Sequence, residues 1–191
     1  MTRYRNRLPI AALILAGASV LAPTQAAIAQ GALHARAREI APAPDAESAL
    51  QPARGVLHQL VGRWRFAIWF AGNFDGAPDA TGTRVVAALY DDLRLEWTET
   101  HDDSSHSQGV LGFDPRAGRF YSSAVYSDGS GVQLLTGTPN PAQPLITFTP
   151  LTPAPQDRQL MESFTLTVID PDHFTWVPLD RGWRAVFTRE P

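Results

Sequence analysis

From Gly62 to the end of the chain, apolar and polar residues alternate with a period of two. In Trp64-Arg65-Phe66-Ala67-Ile68-Trp69-Phe70, the set Trp64, Phe66, Ile68 and Phe70 falls on one face. Leu93, Leu95 and Trp97 repeat the alternation against Arg94, Glu96 and Thr98. Leu160, Phe164, Leu166 and Val168 do so against Ser163, Thr165 and Thr167, Phe174 and Trp176 follow, and Trp183, Ala185 and Phe187 stand against Arg184 and Thr188. This is the periodicity of half-buried strands. Ahead of Gly62 the spacing is different. Val56, Leu57, Leu60 and Val61 form a helical stripe, which predicts a short helix over about 53–61, stopped by Gly62.

Turn signals separate the alternating runs. Asp91-Asp92, Asp114-Pro115-Arg116-Ala117-Gly118, Asp128-Gly129-Ser130-Gly131, Asp170-Pro171-Asp172 and Asp180-Arg181-Gly182 each suit a hairpin. Asp opens such a turn, Pro presets φ, and Gly takes the left-handed position. The pattern predicts an all-β domain, an antiparallel meander of about ten strands of roughly 6–10 residues each. Closing the meander into a barrel removes its edges and encloses a lumen that can hold a small ligand. A β-sandwich is the competing architecture, and the Pro-rich segments 139–144 and 150–155 are where a Greek-key connection would have to lie.

The amino-terminal region has another character. Arg3, Arg5 and Arg7 precede a short apolar run from Ile10 to Leu21, and Ala27-Ile28-Ala29 offers a small-x-small cleavage pattern, with Thr24-Gln25-Ala26 as a second candidate. Residues 1–29 therefore read as a secretory signal peptide, which makes the protein periplasmic or secreted. The apolar run is shorter than the ~20 residues a membrane span needs, so no span is expected after cleavage. Residues 30–52, with Ala41-Pro42-Ala43-Pro44, read as an extended Ala/Pro-rich linker, and 53–191 as the barrel domain.

Charge narrows the partners. All 16 basic residues are arginine, and three lie in the signal, leaving 13 against 19 acidic residues and a formal charge of −6. Nucleic acid and anionic membrane surfaces, which demand clustered basic charge, are not expected partners. With no cysteine in the chain, disulfides, thiol catalysis and thiolate metal sites are excluded.

The helix running into Leu60-Val61-Gly62-Arg63-Trp64, with Val186-Phe187-Thr188-Arg189 near the end, resembles the calycin superfamily of lipocalins and fatty-acid-binding proteins. The match is closer to a bacterial family of calycin-like barrels of unknown function. It extends to Gly109-Val110-Leu111-Gly112-Phe113-Asp114 and, beyond a turn, Gly118-Arg119-Phe120-Tyr121, and covers roughly 56–191. The resemblance implies that Trp64 and Arg189 stack to close one end of the barrel, a structural role. A guanidinium on an indole contributes roughly 0.5–2 kcal/mol.

Polar residues on apolar faces are the candidates for chemistry. Glu99 and His101 continue the face of Leu93, Leu95 and Trp97, and Glu162 interrupts that of Leu160 and Phe164. If those faces line the lumen, Glu99, His101, Glu162, Trp97 and Trp176 are candidate ligand-binding residues, because a charge buried there must be paired, hydrated or at the mouth. The bland alternative is that the strand tips leave the core near Glu99 and that Glu162 pairs with an arginine. His101 and His106 flank a hairpin turn, where solvated side chains are commoner than metal ligands, so no metal is expected. His173 follows a turn and faces away from Phe174 and Trp176, and no cofactor is expected. The faces of Arg84, Tyr90, Tyr121 and Tyr126 depend on a register that one strand alone does not define. The leading functional class is a barrel binding a small, largely apolar ligand. A barrel enzyme using Glu99 with Glu162 and a structural envelope protein with a filled lumen are the alternatives.

Overall fold

The computed structural model describes residues 44–153 and 155–191, so the signal-peptide reading and the start of the linker lie outside the described residues. A helix, α1 (Pro44–Leu60), leads into ten strands: β1 (Gly62–Phe70), β2 (Ala80–Ala88), β3 (Arg94–His101), β4 (His106–Asp114), β5 (Arg119–Tyr126), β6 (Val132–Pro139), β7 (Leu145–Pro150), β8 (Phe164–Asp170), β9 (His173–Pro178) and β10 (Trp183–Arg189). Each strand pairs antiparallel with the next in sequence, and β1 pairs with β10 to close the barrel. The Pro-rich segments lie between consecutive strands, so among the described residues there is no Greek-key crossover, and the closed barrel rules out the sandwich alternative.

Register follows from the period-two pattern. Trp64, Phe66 and Ile68 of β1 stand opposite Arg189, Phe187 and Ala185 of β10. On the other side of β1, Trp64 and Phe66 face Arg84 and Gly82 of β2. A slip of one residue would turn Trp64, Phe66 and Phe187, all nearly fully buried, into water. The turns obey one local rule. Asp91, Asp103, Asp114, Asp128, Asp170 and Asp180 each accept a hydrogen bond from the amide two residues on, at 2.8–3.0 Å. The last hairpin departs from the expected glycine geometry, since Arg181, with φ 57°, takes the left-handed position instead of Gly182.

The helix begins nine residues earlier than the stripe predicts, so 44–52 are helical and not linker. Proline is tolerated in a helix's first turn, where an N–H has no intrahelical partner, and this accommodates Pro44. Pro52 withholds one backbone bond inside the helix. Tertiary packing offsets that loss: Ala53, Leu57 and Leu60, spaced four and three residues apart, are buried in the barrel's core cluster. Among the described residues no helix is long and apolar enough to cross a membrane.

The end of the barrel next to α1 is packed solid. The Trp64 indole meets Phe174 edge-on at 4.7 Å, and Phe174 stacks on Phe187 at 4.2 Å. Arg189 lays its guanidinium 4.1 Å over the Trp64 ring. The same side chain donates to the carbonyls of Gln59 and Val61, at 2.7 and 2.8 Å, while Trp64 donates through Nε1 to Leu60. The carbonyls of Gln59 and Leu60 in the last turn of α1, and that of Val61 just beyond it, are thereby satisfied from within the barrel.

Candidate functional site

Toward the opposite end, where the β1–β2, β3–β4 and β5–β6 connections gather, the lumen is not filled. A cavity of about 330 Å³ runs from Leu60 at its floor to Ser105, Ser127 and Asp128 at its mouth. Trp97, Trp176, Glu99 and His101 line it. Glu162 does not. Strand β8 starts at Phe164, so the alternation read back through Leu160 has no counterpart, and Leu160 and Met161 are exposed. Glu162 lies in the preceding connection, 3.6 Å from Arg158, four residues before it on the surface. The two carboxylates expected to share the lumen are thus separated by the barrel wall, which removes that acid–base pair.

The polar centre of the cavity is built around Glu99. Residue pairing sets Arg84 of β2 and Ser107 of β4 directly across from it on either side. Arg84 donates to one carboxylate oxygen from Nε and Nη2, at 2.8 and 2.6 Å, and the Ser107 hydroxyl donates to the other at 2.5 Å. The Arg84 guanidinium is held between two aromatic faces, 4.6 Å from Trp97 and 4.4 Å from Phe187. A buried charge is tolerated only when paired and hydrogen-bonded, and here both charges are. Two of the five guanidinium N–H groups go to Glu99, so donors remain for a lumenal acceptor.

Two glycines make room for the aromatic rings. Gly82 stands across from both Phe66 and His101, and those rings meet edge-on above it at 4.9 Å. Gly109 lies beside Trp97, where a Cβ would come within 2.6 Å of the indole. His101 Nε2 is 3.8 Å from Glu99, beyond hydrogen-bond distance. Tyr126 of β5, across from Ser107, points its hydroxyl at Gln133, 3.3 Å away. Partial burial, and then the nearby Glu99 carboxylate, push the Tyr126 phenol above its ordinary range.

Arg84, Ser107, Ser122, Tyr126 and Gln133 complete the polar lining. Ser107 occupies the inward phase of Gly109, Leu111 and Phe113, the one trace in the sequence that could have shown it. Tyr121 and Tyr90 are outside the cavity, the latter exposed in the β2–β3 turn at φ 67°. His173 sits at the far end of the barrel, its Nδ1 2.9 Å from Asp170. Among the described residues no three His, Asp or Glu side chains converge as a metal site would require.

The arrangement is suited to holding a small molecule by apolar contact and a few directed hydrogen bonds. No curated protein matches the chain. The model of one family, described as a protein of unknown function, DUF1579, matches residues 49–177, from within α1 to the penultimate residue of β9. With its barrel matched over most of its length, this chain belongs to the DUF1579 family of proteins of unknown function.

Proposed function

We propose that the protein is exported and that its barrel binds a small, largely apolar ligand in the lumen. The observation that carries this reading is the cavity of about 330 Å³, walled mainly by Trp97, Phe164, Trp176, Trp183 and Phe187, with one compact polar cluster inside. Its size falls at the lower end of the roughly 300–1,000 Å³ usual for ligand sites, and its make-up is that of such sites. The resemblance to calycin barrels, many of which carry ligands in the lumen, supports the same reading. Export rests on Arg3, Arg5 and Arg7, the Ile10–Leu21 run and the Ala27-Ile28-Ala29 pattern.

Native mass spectrometry of protein purified from the cell envelope tests both parts. The expected result is a chain shortened at its amino terminus and carrying a small molecule that denaturation releases. A bare chain that gains no thermal stability from any member of an apolar small-molecule panel overturns the binding reading.

A further inference from the structure

The lumen has two unlike walls. Strands β2–β6 supply its charged, hydroxyl and amide side chains, namely Arg84, Glu99, Ser107, Ser122, Tyr126 and Gln133. Across the ring of strands, β8–β10 contribute Phe164, Trp176, Trp183 and Phe187 and no charged or hydroxyl group. On that side Phe164 stacks on Trp176 with 26° between their planes, and Trp183 adjoins Phe164 at 5.9 Å. Flat aromatic surface therefore faces a wall of hydrogen-bonding groups.

The charge balance narrows the ligand further. Arg84 and Glu99 are 15% and 11% exposed and neutralise each other inside the lumen, while the one further carboxylate of the lining, Asp128, stands at the exposed mouth and accepts from the Ser130 amide. A carboxylate brought beside them would leave one negative charge uncompensated in the lumen, and an ammonium one positive charge, each at a large desolvation cost. A neutral carbonyl or hydroxyl oxygen meets the remaining guanidinium donors without that cost, and a hydroxyl can also donate to the Tyr126 oxygen, whose own proton goes to Gln133. Volume sets the scale: an apolar cavity of about 150 Å³ admits a single benzene ring, and this one is about 330 Å³.

The geometry points to an uncharged, planar ligand of about two fused rings with a hydroxyl or carbonyl on one edge, its ring face on Trp176 and Phe164 and its polar edge toward Arg84 and Tyr126. This deepens the lumenal-binding reading and rests on it. Equilibrium dialysis at pH 8 of protein purified from cells expressing the full chain, against naphthol, naphthalene and naphthoate, tests it. Naphthol is expected to be retained about fivefold more tightly than naphthalene, the net value of one hydrogen bond, and more tightly than naphthoate. Glu99→Gln leaves Arg84 uncompensated and is expected to reverse the order, with naphthoate above naphthol. The ranking in the unaltered protein decides the matter even if that variant does not fold. Equal retention of naphthol and naphthalene, or naphthoate binding tightest, overturns the ligand class and leaves lumenal binding standing. Retention of none of the three overturns both.

Discussion

Arg84 and Glu99 stand directly opposite one another on β2 and β3, and their side chains meet at 2.6 Å inside the barrel. Removing one partner strands the other charge beside Trp97 and Phe187. Arg84→Met and Glu99→Gln are each expected to lower unfolding free energy by about 3 kcal/mol. The double variant should be destabilised by clearly less than the two single losses added together, because no charge is left behind. Urea denaturation of the four proteins measures this, and strict additivity would show that the pair does not interact.

The helix end makes a separate demand on arginine. Lysine at position 189 keeps the charge but lacks the planar fork that reaches Gln59 and Val61 while stacking on Trp64. Arg189→Lys should cost about 1–2 kcal/mol, and Trp64→Ala about 3–5 kcal/mol. Thermal unfolding reads both. A Lys variant as stable as the parent would mean that charge alone suffices.

Gly109→Ala places a methyl group against the Trp97 indole and the Ser123 carbonyl. The neighbours can yield only by moving β5 or displacing the ring, so a loss of about 1–3 kcal/mol is expected. Because Trp97 is held there, its near-ultraviolet dichroism should change as well. Gly129→Ala, whose Cβ meets nothing but whose φ is 75°, serves as the comparison for backbone strain alone.

Acid should loosen the exposed turns. The amides and side chains that donate to Asp79, Asp103, Asp128 and Asp170 hold their carboxyls below the usual carboxylate range. For Asp79 the largest cause is the Phe70 amide, followed by Asn73. A depressed folded-state value means the unfolded chain binds more protons in this window. The stabilisation is therefore complete above about pH 4 and is lost as pH falls through the lowered values. Melting temperature followed from pH 6 to pH 2.5 should decline, and Asp79→Asn should flatten part of that decline.

The export proposal makes a prediction about mass. The envelope fraction should hold a chain that begins at Gln30, and Ala27→Arg should abolish that cut, leaving either the precursor or a chain cut after Ala26. Intact-mass measurement of both fractions is sufficient. An unshortened parent chain confined to the cytoplasm would remove the export reading.

The strands were legible in the sequence because each buries one face, and burial imposes the period that Trp64, Phe66 and Phe187 display. The first half of α1 was hidden because the alternating Ala41-Pro42-Ala43-Pro44 segment reads as extended chain, whereas the packing of Leu57 and Leu60 holds the helix. Glu162 was misplaced by extending an alternation past the true start of β8. Glu99 was legible as a charge on an apolar face, but its grouping with Arg84 and Ser107 was not. The cluster belongs to three strands, and only their mutual register brings it together.

The bond from Arg189 to Val61 joins residues 128 apart in the chain. Every other strand pairing links consecutive strands and can zip in order as the polypeptide emerges, whereas β1 must wait for β10. Seam closure therefore carries the largest loop-closure entropy of any strand pairing, which predicts that it comes last and that the native state is acquired slowly and cooperatively. Until then β1 and β10 present naked edges, the surfaces on which chains pair with one another. A truncation at residue 182 would remove only nine residues, yet it would convert a ring into an open ribbon with two such edges and deliver an aggregating polypeptide in place of a slightly shortened one.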